Sequence, residues 1–164
     1  MNIKWDRLSE VINKSKKIVL STHVNPDGDG LGSEVAMFYY LKNLGIECKI
    51  INISGITDKY TFLNKNSIIE KYDTDIHKEW IKSCDCAMIF DIGNYKRLGE
   101  IAEVIEKNNI YSVSIDHHPS DDNFFNYRFL DINSPATGYL VWEYFKSIKY
   151  DLSKDIAEGL YTAL

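Results

Sequence analysis

Cysteine is scarce in this 164-residue chain, and the three present, Cys48, Cys84 and Cys86, form neither a CxxC pair nor a disulfide framework. That excludes a small secreted scaffold held by disulfides, and a reducing, cytoplasmic compartment is expected. No leader with a basic start, an apolar stretch and a small-residue cleavage site precedes Trp5, and no membrane partner is expected. Positive charge is also in deficit. Nineteen Lys and Arg face 24 Asp and Glu, giving a formal net charge of −5. Such a balance argues against a general electrostatic grip on nucleic acid, although a metal cluster can attract phosphate locally. Nothing points to disorder: 45% hydrophobic and 26% charged residues describe one ordinary domain, long enough to bury a core.

The most informative stretch is His23-Val24-Asn25-Pro26-Asp27-Gly28-Asp29-Gly30-Leu31-Gly32-Ser33. It puts a histidine and two carboxylates on a glycine-rich turn between an apolar strand, Lys17 to Thr22, and a helix expected from about Gly32 to Leu44. In an open parallel sheet such a junction lies at the carboxyl end of a strand, where ligands bind. Neutral imidazole with ionised carboxylate suits Mn²⁺ or Zn²⁺, and several carboxylates with few sulfur donors favour Mn²⁺ or Mg²⁺. Asp27 and Asp29 are two apart, so on extended backbone they would point the same way. The alternative is that they cap the following helix, and from this stretch alone both readings stay open.

Elsewhere the chain alternates between strand and helix patterns. Trp5, Leu8, Val11 and Ile12 recur at helical spacing and predict a first helix ending near Ser15. Glu47 to Ser54 reads as a strand, and the polar stretch from Thr57 to Lys82 offers only short helical pieces, with His77 as a surface residue. Cys84 and Cys86 read as small buried hydrophobes rather than ligands. The apolar run Cys86 to Phe90 is a buried strand ending in Asp91. Lys96 to Glu106 then reads as a helix with Arg97 in its first turn, where a cation opposes the helix dipole and suggests an anionic partner. Ile110 to Ile115 is the next strand, and it runs into Asp116, His117 and His118. The pattern predicts an α/β fold, a mostly parallel sheet flanked by helices, whose carboxyl edge collects His23, Asp27, Asp29, Asp91, Asp116, His117 and His118. Near the end, Ser134 and Pro135 read as cap and first residue of a helix carrying Tyr139 to Phe145. A last helix from about Ser153 is expected to bury Ile156, Ala157, Leu160, Tyr161 and Leu164.

The order His23-x-x-x-Asp27-x-Asp29, strand-terminal Asp91 and Asp116-His117-His118 resembles the DHH phosphoesterase superfamily, from about Lys17 to the end of the chain. The wording HVNPDGDGLGS most resembles its nanoRNase branch, whose members degrade very short RNA and in several cases dephosphorylate adenosine 3′,5′-bisphosphate. The resemblance implies a Mn²⁺-dependent phosphoesterase, with Mg²⁺ or Co²⁺ as alternatives. One metal would be held by His23, Asp27 and Asp91 and a second by Asp29, Asp91 and His117. His118 would face the phosphate, and Asp116 would orient His117 or its neighbour. Two cations about 4 Å apart can lower the pKa of a shared water and stabilise entering and leaving oxygens at phosphorus.

Family II pyrophosphatases and cyclic-dinucleotide phosphodiesterases share parts of this signature and are the alternative enzymes. In the family, the segment after Gly159 runs into a fourth motif with another metal-binding Asp and then into a smaller substrate-binding domain. The chain is therefore expected to be a catalytic domain over 1–164, incomplete at its carboxyl end and by itself weakly active or inactive, with a non-catalytic metal- or nucleotide-binding module as the alternative of another class. Short RNA or a nucleotide is the expected partner, and a homodimer is left open.

Overall fold

The computed structural model describes residues 3–120 and 123–164. One six-stranded sheet runs through the molecule in the order β3-β2-β1-β4-β5-β6. The strands are β1 (Lys17–Ser21), β2 (Glu47–Asn52), β3 (Ile69–Lys71), β4 (Cys86–Phe90), β5 (Tyr111–Asp116) and β6 (Tyr127–Leu130). Every pairing is parallel. Parallel strands need crossovers, and these place helices on both faces, as the alternating pattern predicted. One face is covered by α1 (Trp5–Lys14), α2 (Gly28–Asn43), α5 (Thr137–Ser147) and α6 (Lys154–Ala163), which pack with Leu20, Met88, Phe90 and Phe129. The other carries α3 (Thr74–Lys82) and α4 (Glu100–Lys107), packed with Val19, Ile51, Ala87 and Ile89.

Two strand registers align the residues at the carboxyl edge. Ser21 pairs with Ile89, so His23 and Asp91, each two residues further on, leave the sheet side by side. Phe90 pairs with Ile115, which brings Asp116 and His117 to the next position along the same edge. Strand order reverses between β1 and β4, and the crevice above such a reversal is where open α/β sheets bind ligands.

Several expectations are corrected. α2 begins at Gly28 rather than Gly32, because Asp27 caps it: Asp27 Oδ1 accepts the amides of Asp29 (3.1 Å) and Gly30 (3.2 Å). Asp29 thus lies in a helical turn, and the two carboxylates do not share an extended backbone. The stretch 57–82 holds more than short pieces: two 3₁₀ turns, the edge strand β3 and the nine-residue α3. His77 is not a surface residue. It is 3% exposed, accepts the Asp73 amide at Nδ1 (2.8 Å) and faces Glu70 Oε2 with Nε2 at 2.9 Å. The helix expected from Lys96 is broken at Gly99, whose φ is +58°, so Arg97 sits in a 3₁₀ turn (Tyr95–Leu98) ahead of α4. β6 has too short and too mixed a pattern to have stood out.

α5 starts at Thr137 with Ala136 as its cap residue, and the Ser134 hydroxyl donates to the Ala136 carbonyl instead of capping a helix. Ser153 does cap α6, accepting the Ile156 amide. The buried face of α6 is Ile156, Gly159, Leu160 and Ala163, whereas Ala157, Tyr161 (85% exposed) and Leu164 face outward. The reason is close approach to α2. A Cβ on Gly32 would stand 2.3 Å from the Gly159 carbonyl oxygen, and one on Gly159 would stand 2.7 Å from that of Gly32. Gly159 and Ala163 complete the buried face beside Ile156 and Leu160, so Tyr161 and Leu164 are left outside it.

Candidate functional site

Asp91 is the centre of the cluster at the carboxyl edge. It is 2% exposed and its φ is +55°, a left-handed conformation that costs a non-glycine residue of order 1–3 kcal/mol. Its amide donates to the Ile115 carbonyl (3.1 Å), and its Oδ1 accepts the Thr137 hydroxyl (3.1 Å). These contacts and its burial hold the turn, and they aim the two carboxylate oxygens at different histidines. Oδ2 lies 3.6 Å from His23 Nε2 and Oδ1 lies 3.5 Å from His117 Nε2.

Around His23 the first partners are local. Its Nδ1 is 2.8 Å from the Val24 carbonyl, so a proton held there leaves Nε2 toward Asp91 and toward Asp27 Oδ2, 3.8 Å away. Asp27 therefore caps α2 with one oxygen and faces His23 with the other. Burial works against a charge on His23, but the Asp27 and Asp91 carboxylates and the Val24 carbonyl outweigh it, raising its pKa to about 10. His23, helped by the α2 amides and against burial, holds Asp27 down at about 2. Arg97 Nη2 is also 2.8 Å from His23 Nδ1. A guanidinium only donates, so it needs a bare Nδ1 where Val24 needs a protonated one, and the two contacts exclude each other. With the His23 pKa raised in this way, the Val24 bond holds, and Arg97 stands as a cation beside the cluster. Its loop is pinned independently, since the Val24 amide donates to the Arg97 carbonyl (2.8 Å).

Around His117 the partners come from far along the chain. Nδ1 lies 3.1 Å from the Ser134 carbonyl, while Nε2 is 3.5 Å from Asp29 Oδ2 as well as from Asp91. Asp29 accepts the Thr137 amide at Oδ2 and the Gly138 amide at Oδ1, both at 2.8 Å. The amino end of α5 thus points at Asp29, where its dipole favours negative charge. Burial and the charge of Asp91 nevertheless push the Asp29 carboxyl up to about 6, against those amides. Asp116 is fully buried, and its Oδ1 accepts the His118 amide (3.0 Å) and faces His118 Nδ1 at 2.9 Å. It therefore orients His118, whose side chain is 43% exposed.

The structure brings His23, Asp27, Asp29, Asp91, Asp116, His117, His118 and Arg97 to one edge. It adds Thr137, Gly138 and the Ser134 carbonyl, which sequence reasoning missed because it started α5 too early. Ligand atoms of His23, Asp27 and Asp91 all lie within 4.8 Å of one another, and so do those of Asp91, His117 and His118. Two donors about 2.1 Å from one cation stand roughly 3.0–3.5 Å apart, and the 3.4–3.8 Å separations here come close to that. Imidazole and carboxylate donors of this kind suit a borderline divalent ion. A hollow of about 900 Å³ lined by Trp5, Arg7, Asp85 and Tyr111 lies at the opposite edge and shares no residue with the cluster. No helix among the described residues is long and apolar enough to cross a membrane.

The chain is similar to several known proteins. The bifunctional oligoribonuclease and PAP phosphatase NrnA of Mycoplasma genitalium is 31% identical over 129 residues, covering 74% of this chain and 37% of that protein. The protein of the same name from Thermus thermophilus is 24% identical across 98% of this chain and 47% of its own length. The crystal structure of an exopolyphosphatase-related protein from Bacteroides fragilis superposes with a TM-score of 0.90 at 25% identity, over 96% of this chain and 48% of that one. The chain thus spans about half, or less, of the length of the relatives it matches. The family described as DHH family, N-terminal domain, matches residues 17–164, and the chain belongs to it.

Proposed function

We propose that this domain is the catalytic part of a phosphoesterase that hydrolyses short oligoribonucleotides or adenosine 3′,5′-bisphosphate with two divalent cations, Mn²⁺ before Mg²⁺ or Co²⁺. The observation that carries this reading is the position of Asp91, one oxygen toward His23 and the other toward His117. His23, Asp27 and Asp91 would hold one cation, and Asp29, Asp91 and His117 the other. Such cations neutralise charge developing on phosphate and bring the pKa of water toward neutrality.

The remaining work belongs to the chain. The Val24 and Ser134 carbonyls stand where they accept the Nδ1 protons of His23 and His117, so with a cation bound each Nε2 would be the ligating atom. His118 is engaged at Nδ1 by Asp116, which argues against its being a ligand through that atom. Its Nε2 is the atom left to bind a phosphate oxygen or to give the leaving oxygen a proton. Arg97 supplies a planar, permanently charged donor for the non-bridging oxygens. The substrate class follows the names of the NrnA relatives and the phosphate chemistry of the site. A cytoplasmic setting fits three buried free cysteines, whose thiols burial pushes up to about 12.

The test is a side-by-side assay of the 164-residue chain with Mn²⁺ against a dinucleotide, adenosine 3′,5′-bisphosphate, pyrophosphate and a cyclic dinucleotide. Release of mononucleotide from the first, or of phosphate from the second, is the expected result. Turnover of pyrophosphate or the cyclic dinucleotide alone would move the protein to another branch of the family. Saturable Mn²⁺ binding with no turnover of any of the four would leave a metal-binding module.

A further inference from the structure

Glu34 is an anomaly that neither the cluster nor the fold pattern explains. It lies on α2, five residues beyond Asp29, and its side chain is fully buried. One oxygen, Oε2, accepts the Asn52 side-chain amide (2.9 Å), and Oε1 has no partner among the described residues. A buried carboxyl is costly, and a hydrophobe of similar size would fill the same space more cheaply. Burial pushes its pKa up to about 8, against the Asn52 bond and the nearby His23, so the group is a neutral acid at neutral pH.

What this acid touches leads directly to the site. Asn52, the last residue of β2 and also fully buried, is held in one orientation: its Nδ2 serves Glu34, and its Oδ1 accepts the Thr22 amide (2.9 Å) and the Ser21 hydroxyl (3.3 Å). Thr22 in turn donates its hydroxyl to the Phe90 carbonyl (2.8 Å). Thr22 precedes His23, and Phe90 precedes Asp91. Gly30 closes over this link from α2, since a Cβ there would lie 2.3 Å from Thr22 Oγ1. The result is an unbroken buried line, Glu34 to Asn52 to Thr22 to Phe90, that crosses from α2 through β2 and β1 to β4. It meets the sheet where the ladder between β1 and β2 ends, at Leu20 and Ile50, so the Thr22 amide takes a side chain in place of a strand partner.

We propose that Glu34 is a positioning residue which, through Asn52 and Thr22, fixes the end of β1 against the end of β4 and so sets the gap between His23 and Asp91. This rests on the proposed cation site for its consequence in metal binding, but not for its effect on His23. Glu34→Gln keeps an oxygen for the Asn52 amide and puts a donor where Oε1 stands. Glu34→Met keeps most of the volume and loses the acceptor. Thr22→Val removes only the hydroxyl that ties β1 to β4, and it serves as the second variant should Glu34→Met fail to fold.

Two readouts separate this role from simple packing. Mn²⁺ titration followed by electron paramagnetic resonance should show affinity at least about tenfold weaker in Glu34→Met and Thr22→Val, as for residues that orient metal ligands, with Glu34→Gln within about twofold of the parent. Imidazole ¹⁵N resonances of His23, recorded without added metal, should shift in Glu34→Met and Thr22→Val and stay in place in Glu34→Gln. Glu34→Met with unchanged Mn²⁺ affinity and an unmoved His23 resonance would overturn the proposal, as would Glu34→Gln as damaged as Glu34→Met. A parent chain that does not bind Mn²⁺ would sink the proposed function alone, and the His23 resonances would still decide the role of Glu34.

Discussion

The two sides of Asp91 are built on one plan and secured in two ways. On each, a histidine gives Nδ1 to a backbone carbonyl and turns Nε2 toward Asp91, and a nearby carboxylate accepts helix amides. On the His23 side the histidine's carbonyl partner and carboxylate come from one turn: Val24 is adjacent, and Asp27 caps the helix it begins, while Arg97 reaches in from the loop before α4. On the His117 side the carbonyl is that of Ser134, and Asp29 caps α5, more than a hundred residues away in sequence, with both its oxygens. The first half is thus assembled by local chain geometry and the second only when α5 is in place.

The largest effect expected breaks both halves together. Asp91→Asn keeps a side chain that tolerates positive φ but lacks the charge facing two histidines. It should lower hydrolysis by at least about a hundredfold while circular dichroism stays unchanged, and retention of more than about a tenth of the parent rate would refute the shared position. Next comes a variant confined to one half. His117→Ala should lose bound Mn²⁺ after dialysis, whereas His118→Ala should keep it and lose turnover, and elemental analysis showing equal loss in both would end that division of roles.

A smaller effect tests the long-range support. Thr137→Val removes the hydroxyl on Asp91 Oδ1 but leaves the amide that Asp29 accepts. Calorimetric titration should show Mn²⁺ binding weakened several-fold, by roughly the 0.5–1.5 kcal/mol typical of one hydrogen bond, with the weaker of the two binding steps affected most. The last effect is on stability rather than on metal binding, and it concerns pH. Glu34 is protonated in folded and unfolded chains below about 4.5, and between there and about 8 only the unfolded chain has released the proton. Stability contributed by this group is therefore lost as pH rises through that window. Thermal melts should show Glu34→Gln gaining on the parent from pH 5 to pH 8, and a constant difference would contradict the buried neutral acid.

How much of this was legible in the sequence differs between the two halves. His23, Asp27 and the glycines lie within a few residues of one another, so turn chemistry and strand pattern sufficed to mark them. Asp91 and His117 were legible because each follows an apolar run, and parallel strands deliver their ends to one edge. Thr137 was not, because its role exists only where α5 meets Asp29. His77 looked like a surface histidine in a polar stretch for the same reason: Glu70, which faces it, comes from β3, a three-residue strand too short to show a period. On α6, Tyr161 and Leu164 outweighed Gly159 and Ala163 in any hydrophobicity count, yet close contact with Gly32 chose the small face.

The sequence by itself determined the α/β alternation, the ends of β1, β4 and β5, and the residue types gathered at the carboxyl edge, since strand and turn signals are local and a parallel sheet has one carboxyl edge. Tertiary structure alone decided that Asp91 shares its two oxygens between histidines, that Asp29 caps α5, and that a buried line from Glu34 holds β1 to β4. Those features depend on distances between segments far apart in the chain, and periodicity within a segment carries no record of them.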